Sequence, residues 1–212
     1  MKHLSLPPKI KIGKNTFKEI AKACPHIQSL DLGFHDFSGA KAKDSDLIEI
    51  VERFPNLTSI STNMWSHSSR GVSSMAKALG GQLIELKITG KSFNYLTDST
   101  MIVIAEHCKN LKSFTYKDEW WYDFINDFLT NRGVVALVKG CPRLEYFSLS
   151  NAKKVNEEAF TTILELLEQA NAASAQNTGR QKCYALRKID LKGYPFEITG
   201  DPLRLMSIDR TK

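Results

Sequence analysis

The chain has 212 residues, 42% hydrophobic and 25% charged, enough apolar material for a core and too much for a disordered polyelectrolyte. No apolar run nears the roughly 18 residues of a membrane span, and Met1-Lys2-His3-Leu4-Ser5-Leu6-Pro7-Pro8 lacks the apolar stretch of a secretory signal. The net charge of +6 is uneven: residues 1–26 carry six Lys against one Glu, residues 180–212 carry eight Lys/Arg against four acids, and the middle is −3. Basic ends attract polyanions. No basic stretch has the interleaved aromatics of a single-strand binder, however, so nucleic acid is not the expected partner.

One apolar skeleton recurs along the chain. A first apolar residue is followed by others three and five positions on: Ile27-Leu30-Leu32, Leu57-Ile60-Thr62, Leu83-Leu86-Ile88, Leu111-Phe114-Tyr116, Leu144-Phe147-Leu149 and Leu186-Ile189-Leu191, with Met1-Leu4-Leu6 opening the series. Successive starts fall 26, 30, 26, 28, 33 and 42 residues apart. Periods of this size mark units that bury their apolar faces only against their neighbours.

Helical patterns fill the intervals. Asp44 to Phe54 reads as a helix burying Leu47, Ile48, Ile50 and Val51, stopped by Pro55. Gly71 to Leu79 is a second, ending at Gly80-Gly81. Thr97-Asp98 opens a third through Met101, Ile102, Ile104 and Ala105 to Cys108. Asn131 to Lys139 is a fourth, closed by Gly140, and Val155 to Ala170 is the longest. Strand, helix and next strand in repetition predict a parallel sheet lined by helices. The expected fold class is α/β, a right-handed solenoid with parallel strands on its concave face and helices on its convex face.

The four cysteines fit that repeat. Cys24, Cys108, Cys141 and Cys183 each stand three residues before a first apolar position, a slot that Phe54 and Gly80 fill elsewhere. A slot that accepts Cys, Phe or Gly is a packing position, so these are expected to be buried free thiols in a reducing cytosol or nucleus. The string Cys-Pro-x-apolar-x-x-apolar-x-apolar at Cys24–Leu32 and Cys141–Leu149, with Leu96-Thr97-Asp98, Met101, Ala105 and Cys108, resembles the cysteine-containing leucine-rich repeats of F-box proteins, within the ribonuclease-inhibitor-like superfamily. The resemblance covers about residues 1–192, as six to seven repeats, with 193–212 as a cap or tail. It implies a substrate-recognition role in an SCF-type ubiquitin ligase, with ligase core subunits among the partners. No F-box is recognisable upstream, so another segment or chain would dock the ligase. The alternative is a scaffold or regulator with no ubiquitin role.

Alternation along the strands gives two kinds of candidate site. The concave face is expected to present Ser29 and Asp31, Ser59 and Ser61, Glu85 and Lys87, Ser113 and Thr115, Tyr146 and Ser148, and Lys188 and Asp190. Beyond the fourth repeat strand an insertion carries Trp120-Trp121-Tyr122 among Asp118, Glu119, Asp123 and Asp127, with Trp65 on the same expected rim. Large aromatics anchor interfaces, and the acids favour a basic protein partner. Asn171 to Lys182 reads as a flexible polar loop.

Catalytic chemistry finds no support. The five histidines show no zinc spacing, Gly33 to Lys41 departs from the phosphate-loop pattern, and no Gly-x-Ser-x-Gly occurs. No catalytic residue, metal or cofactor is expected.

Overall fold

The computed structural model describes residues 1–6, 15–32, 44–63, 68–90, 96–118, 127–150, 152–175 and 185–192. Seven strands form one sheet in sequence order: β1 (His3–Ser5), β2 (Ser29–Asp31), β3 (Ser59–Asn63), β4 (Glu85–Gly90), β5 (Ser113–Asp118), β6 (Tyr146–Ser150) and β7 (Lys188–Lys192). Every pairing is parallel. Helices α1 (Thr16–Ala23), α2 (Asp44–Arg53), α3 (Ser69–Leu79), α4 (Asp98–His107), α5 (Asn131–Gly140) and α6 (Glu157–Ala175) each return the chain to the next strand. Strands sit about 4.8 Å apart, whereas packed helices need about 8–10 Å. The mismatch places helices on the wider, convex side of a leucine-rich-repeat solenoid.

The register explains the sequence skeleton. Leu4, Leu30, Ile60, Leu86, Phe114, Phe147 and Ile189 are in-register partners across all seven strands. All but Leu4 are buried, and Leu4 packs against the same core. Phe114 and Phe147 stack at 5.9 Å between ring centroids, their planes 13° apart. The next inward row includes Thr62, Ile88, Tyr116 and Leu149, all buried. Among the described residues no partner reaches Thr62 Oγ1, a threonine where the repeat elsewhere puts larger apolar or aromatic groups.

Helix ends are set by local chemistry. Ser68, Thr97 and Thr130 are N-caps whose hydroxyls accept backbone N–H bonds of the first turn. In the repeats of Phe54, Gly80, Cys108 and Cys141 the residue of the cysteine slot closes the helix and starts the turn into the strand. Cys108 N–H donates to Ile104 O at 2.8 Å, and its carbonyl accepts from Leu111 N–H at 3.1 Å. Cys141 repeats the pattern with Leu137 and Leu144, and Phe54 with Ile50 and Leu57.

Neighbouring repeats are stapled along the helix N-terminal edge. Asp44, first residue of α2, accepts Ser68 N–H at 2.8 Å and the Ser68 hydroxyl at 2.5 Å. Asp98, first residue of α4, accepts Thr130 N–H at 2.8 Å, Gly133 N–H at 3.1 Å and the Thr130 hydroxyl at 2.6 Å. Each carboxylate thus serves the positive end of its own helix and caps the next one. Gly71 and Gly133 make room for it: a Cβ at either position would lie 2.4 Å from the aspartate Oδ1. Between α3 and α4 Thr100 donates to Ser69 O, and between α5 and α6 Asn131 and Asn156 exchange bonds. At the other edge Lys109 Nζ donates to Ala105 O and Gly140 O, the C-terminal carbonyls of two adjacent helices.

Three expectations change. The interval between Leu6 and Cys24, to which no helical pattern was assigned, holds α1, with Phe17 as its buried contact. The second helix starts at Ser69 rather than Gly71, because Ser68 caps it. The longest helix begins at Glu157 and continues to Ala175, into the stretch read as a loop. The alanines of Asn171-Ala172-Ala173-Ser174-Ala175 have the highest helix propensity and extend it. Trp65, Trp120, Trp121, Tyr122, Cys183 and residues 193–212 lie outside the described residues.

Candidate functional site

The face of the sheet turned away from the helices carries the outward rows of the strands. One row runs His3, Ser29, Ser59, Glu85, Ser113, Tyr146, Lys188, and the next runs Ser5, Asp31, Ser61, Lys87, Thr115, Ser148, Asp190. All twelve strand residues named from the sequence for this face therefore share this surface. Asp31, Lys87, Tyr146 and Lys188 are half-buried, Glu85 is exposed and Asp190 is buried.

Two connected groups emerge. In the first, His3 Nδ1 lies 2.8 Å from Ser29 Oγ, Ser29 donates to Ser59 Oγ at 3.4 Å, and Ser59 donates to Glu85 Oε2 at 3.0 Å. The chain of bonds crosses four strands and fixes the orientation of otherwise free hydroxyls. His3 is a member that the sequence reading weighed only as a zinc ligand. Its position just before Leu4, the slot that Ser29 and Ser59 hold in the next two repeats, was the available signal.

The second group gathers on β6 and β7. The Tyr146 hydroxyl donates to Asp190 Oδ2 at 3.1 Å, and the Ser148 hydroxyl donates to the same oxygen at 3.4 Å. The Lys188 ammonium stands 5.8 Å from the centre of the Tyr146 ring, a cation–π distance. Asp190 is only 8% exposed. Among the described residues no donor reaches its Oδ1. Burial raises the Tyr146 phenol, the Asp190 charge adds to this, and the Ser148 hydrogen bond and Lys188 oppose it. Tyr146 thus stays a donor across the physiological range. Asp31 and Lys87 stand in the second row two strands apart, about 10 Å.

Elsewhere the chemistry is sparse. A groove of about 390 Å³ between α5 and α6 has Arg132 and Lys139 on one wall and Glu158 on the other, with Val135 and Ala159 between. Among the described residues no group of three His, Cys, Asp or Glu is arranged to hold a metal, and no helix is long and apolar enough to cross a membrane.

Cys24, Cys108 and Cys141 are free thiols. Cys108 and Cys141 are buried and donate weakly to Ala76 O and Cys108 O of the preceding repeats. Burial pushes both thiols up from 9.0 to about 12, with Lys109 pulling each back slightly. They are packing groups with little thiolate. The folded state therefore holds two protons that the unfolded state releases above pH 9. Their stabilising effect is complete below pH 9 and is lost as pH rises toward 12. The unfolding free energy is expected to fall by up to about 1.4 kcal/mol per pH unit per thiol across that window. Urea titrations at stepped pH check this, and the Cys108→Ala/Cys141→Ala chain should show a shallower slope.

No family model and no curated protein matches the sequence. Among solved structures, TLR13 in its complex with ssRNA13 is similar at a TM-score of 0.51 and 16% identity, over 90% of this chain and 25% of that one. The leucine-rich repeat-containing protein LegL7 from Legionella pneumophila gives 0.47 and 13%, over 89% and 63%. The Rad7 and Elc1 complex in yeast gives 0.38 and 14%, over 90% and 63%. The chain thus spans less than two thirds of each of these, and the likeness to TLR13 establishes the fold alone.

Proposed function

We propose that this chain is a non-catalytic protein-recognition module that reads its partner with the outward face of the sheet. The observation that carries this is the asymmetry of the sheet. The inward rows are largely apolar and pack into one core, while the outward rows set small hydroxyls and charged side chains on a preformed surface. Small residues such as Ser29, Ser59, Ser61 and Ser113 let a partner approach the strands closely. The charges at Asp31, Glu85, Lys87 and Lys188 supply orientation. Trp65, Trp120, Trp121 and Tyr122 form an aromatic rim to this surface in the same proposal. In this proposal the repeats of residues 1–192 act as one solenoid with 193–212 as its cap or tail, and the working compartment is the cytosol or nucleus, where free thiols persist.

The finer form of the proposal is the substrate-recognition part of an SCF-type ubiquitin ligase. It rests on the resemblance of the Cys-Pro-x-apolar repeats to those of F-box proteins. The second reading is a scaffold with no ubiquitin role. Affinity purification with mass spectrometry from native cells separates them. The wild-type chain is compared with a Ser59→Arg/Ser113→Arg chain, which blocks the face without entering the core. A partner lost only with the blocked chain supports recognition by this face; a partner kept by both overturns it. Ligase core subunits recovered with both chains support the adaptor form. Their absence overturns that form in favour of the scaffold.

A further inference from the structure

Asp190 is a buried charged group on the outward face, and only one of its two oxygens has a donor among the described residues. Its Oδ2 takes two hydroxyl donors, from Tyr146 and Ser148, while Oδ1 takes none among the described residues. A carboxylate oxygen that is buried and unpaired carries a desolvation cost that only a donor can offset. Two residues before it on the same strand, and so on the same face, Lys188 already lays an ammonium over the Tyr146 ring. The place therefore combines a π face, a buried carboxylate with one unpaired oxygen among the described residues, and hydroxyls that fix the carboxylate's orientation. A cation of the chain itself occupies part of it.

From this we infer that Tyr146, Ser148 and Asp190 form the anchor for one basic side chain, arginine or lysine, of the partner protein, with Lys188 as an intramolecular stand-in that the partner's cation displaces. The inference rests on the sheet-face reading above and gives that face its partner chemistry. On binding, Lys188 turns out to solvent and uncovers the carboxylate, and the guanidinium or ammonium donates to Asp190 Oδ1 and covers the Tyr146 ring. The exchange conserves one cation–π contact and adds one charge-assisted hydrogen bond. Lys188 thereby sets a threshold: weakly basic or badly placed side chains do not dislodge it.

The test titrates the 15N-labelled chain with acetyl-Gly-Arg-Gly-amide and with its lysine and citrulline counterparts, followed by amide chemical shifts. Expected are shifts at Ser148, Lys188 and Asp190 with the arginine and lysine peptides and none with citrulline. Asp190→Asn should weaken the fitted affinity about tenfold or more, since a buried charged pair is lost. Lys188→Ala should strengthen it several-fold, an outcome that a merely destabilised sheet does not give. Circular dichroism confirms that both variants fold. Equal shifts with citrulline, shifts confined to other strands, or an affinity unmoved by Asp190→Asn would each overturn the anchor. Capture of the native partner then separates the two levels. A partner held equally by wild type and Asp190→Asn but lost with Ser59→Arg/Ser113→Arg overturns the anchor and leaves the face reading standing.

Discussion

Phe114→Ala is expected to lower the unfolding free energy by about 3–5 kcal/mol, the usual cost of emptying a buried phenylalanine site. The ring is fully buried in β5, stacks on Phe147 of β6 and stands in register with Leu86 of β4. Relaxation is limited, because the row is pinned by backbone bonds on both sides and cannot close over the gap. In a solenoid the loss is also one of coupling, since each repeat is stabilised through its two interfaces. Urea denaturation checks this through a lower midpoint at unchanged slope. Phe114→Leu keeps most of the volume and should cost under about 1.5 kcal/mol. A similar cost for both variants would mean that the aromatic stack, not the filled volume, holds these repeats together.

Gly133→Ala is the second change with a large expected effect, and its sign is opposite to that of helix propensity. In an exposed helix interior, alanine gains about 1 kcal/mol over glycine. Here a Cβ would lie 2.4 Å from Asp98 Oδ1, 2.9 Å from Leu129 Cδ1 and 3.0 Å from Asp98 Cα. Either α5 moves away from α4 or the carboxylate turns out and abandons Thr130 and Gly133. The expected cost is about 2–4 kcal/mol, from overpacking plus a lost charge-assisted bond. Asp98→Ala should also destabilise, by unpairing Thr130 N–H and its hydroxyl. The double variant should cost clearly less than the sum of the two, because the cavity and the clash occupy the same space. Strict additivity in thermal melts would show that the carboxylate and the glycine act independently.

The Asp98–Gly133 pairing was present in the sequence but unread. Ser68-Ser69-Arg70-Gly71-Val72 and Thr130-Asn131-Arg132-Gly133-Val134 are near copies. Each follows, one repeat later, a helix that begins with aspartate at Asp44 or Asp98. A cap residue, two polar residues and a glycine suggest a helix start. They do not suggest that the glycine faces another helix's carboxylate, because that contact joins residues 27 and 35 positions apart. The alanines after Ala170 misled for the opposite reason: low complexity was taken for a loop where propensity favoured helix.

The candidate site divides in the same way. Period-two alternation was enough to put Asp31, Glu85, Lys87, Tyr146, Lys188 and Asp190 on one face, because a strand leaves a side chain only two sides. It could not rank them. Asp190 and Asp31 occupy equivalent repeat positions, yet Asp190 faces Tyr146 and Ser148 while Asp31 stands in register with serines on both sides.

What the sequence determined by itself is the architecture: unit length, strand positions, the buried rows and the packing role of Cys108 and Cys141. Repetition makes one local pattern inform seven strands at once, so errors in any single interval average out. Tertiary structure decided what depends on neighbours across the stack. It paired Asp98 with α5, linked His3 through two serines to Glu85, and left one oxygen of Asp190 without a donor among the described residues. Such contacts join residues a repeat or more apart and are fixed by register and side-chain reach, quantities that no local pattern encodes.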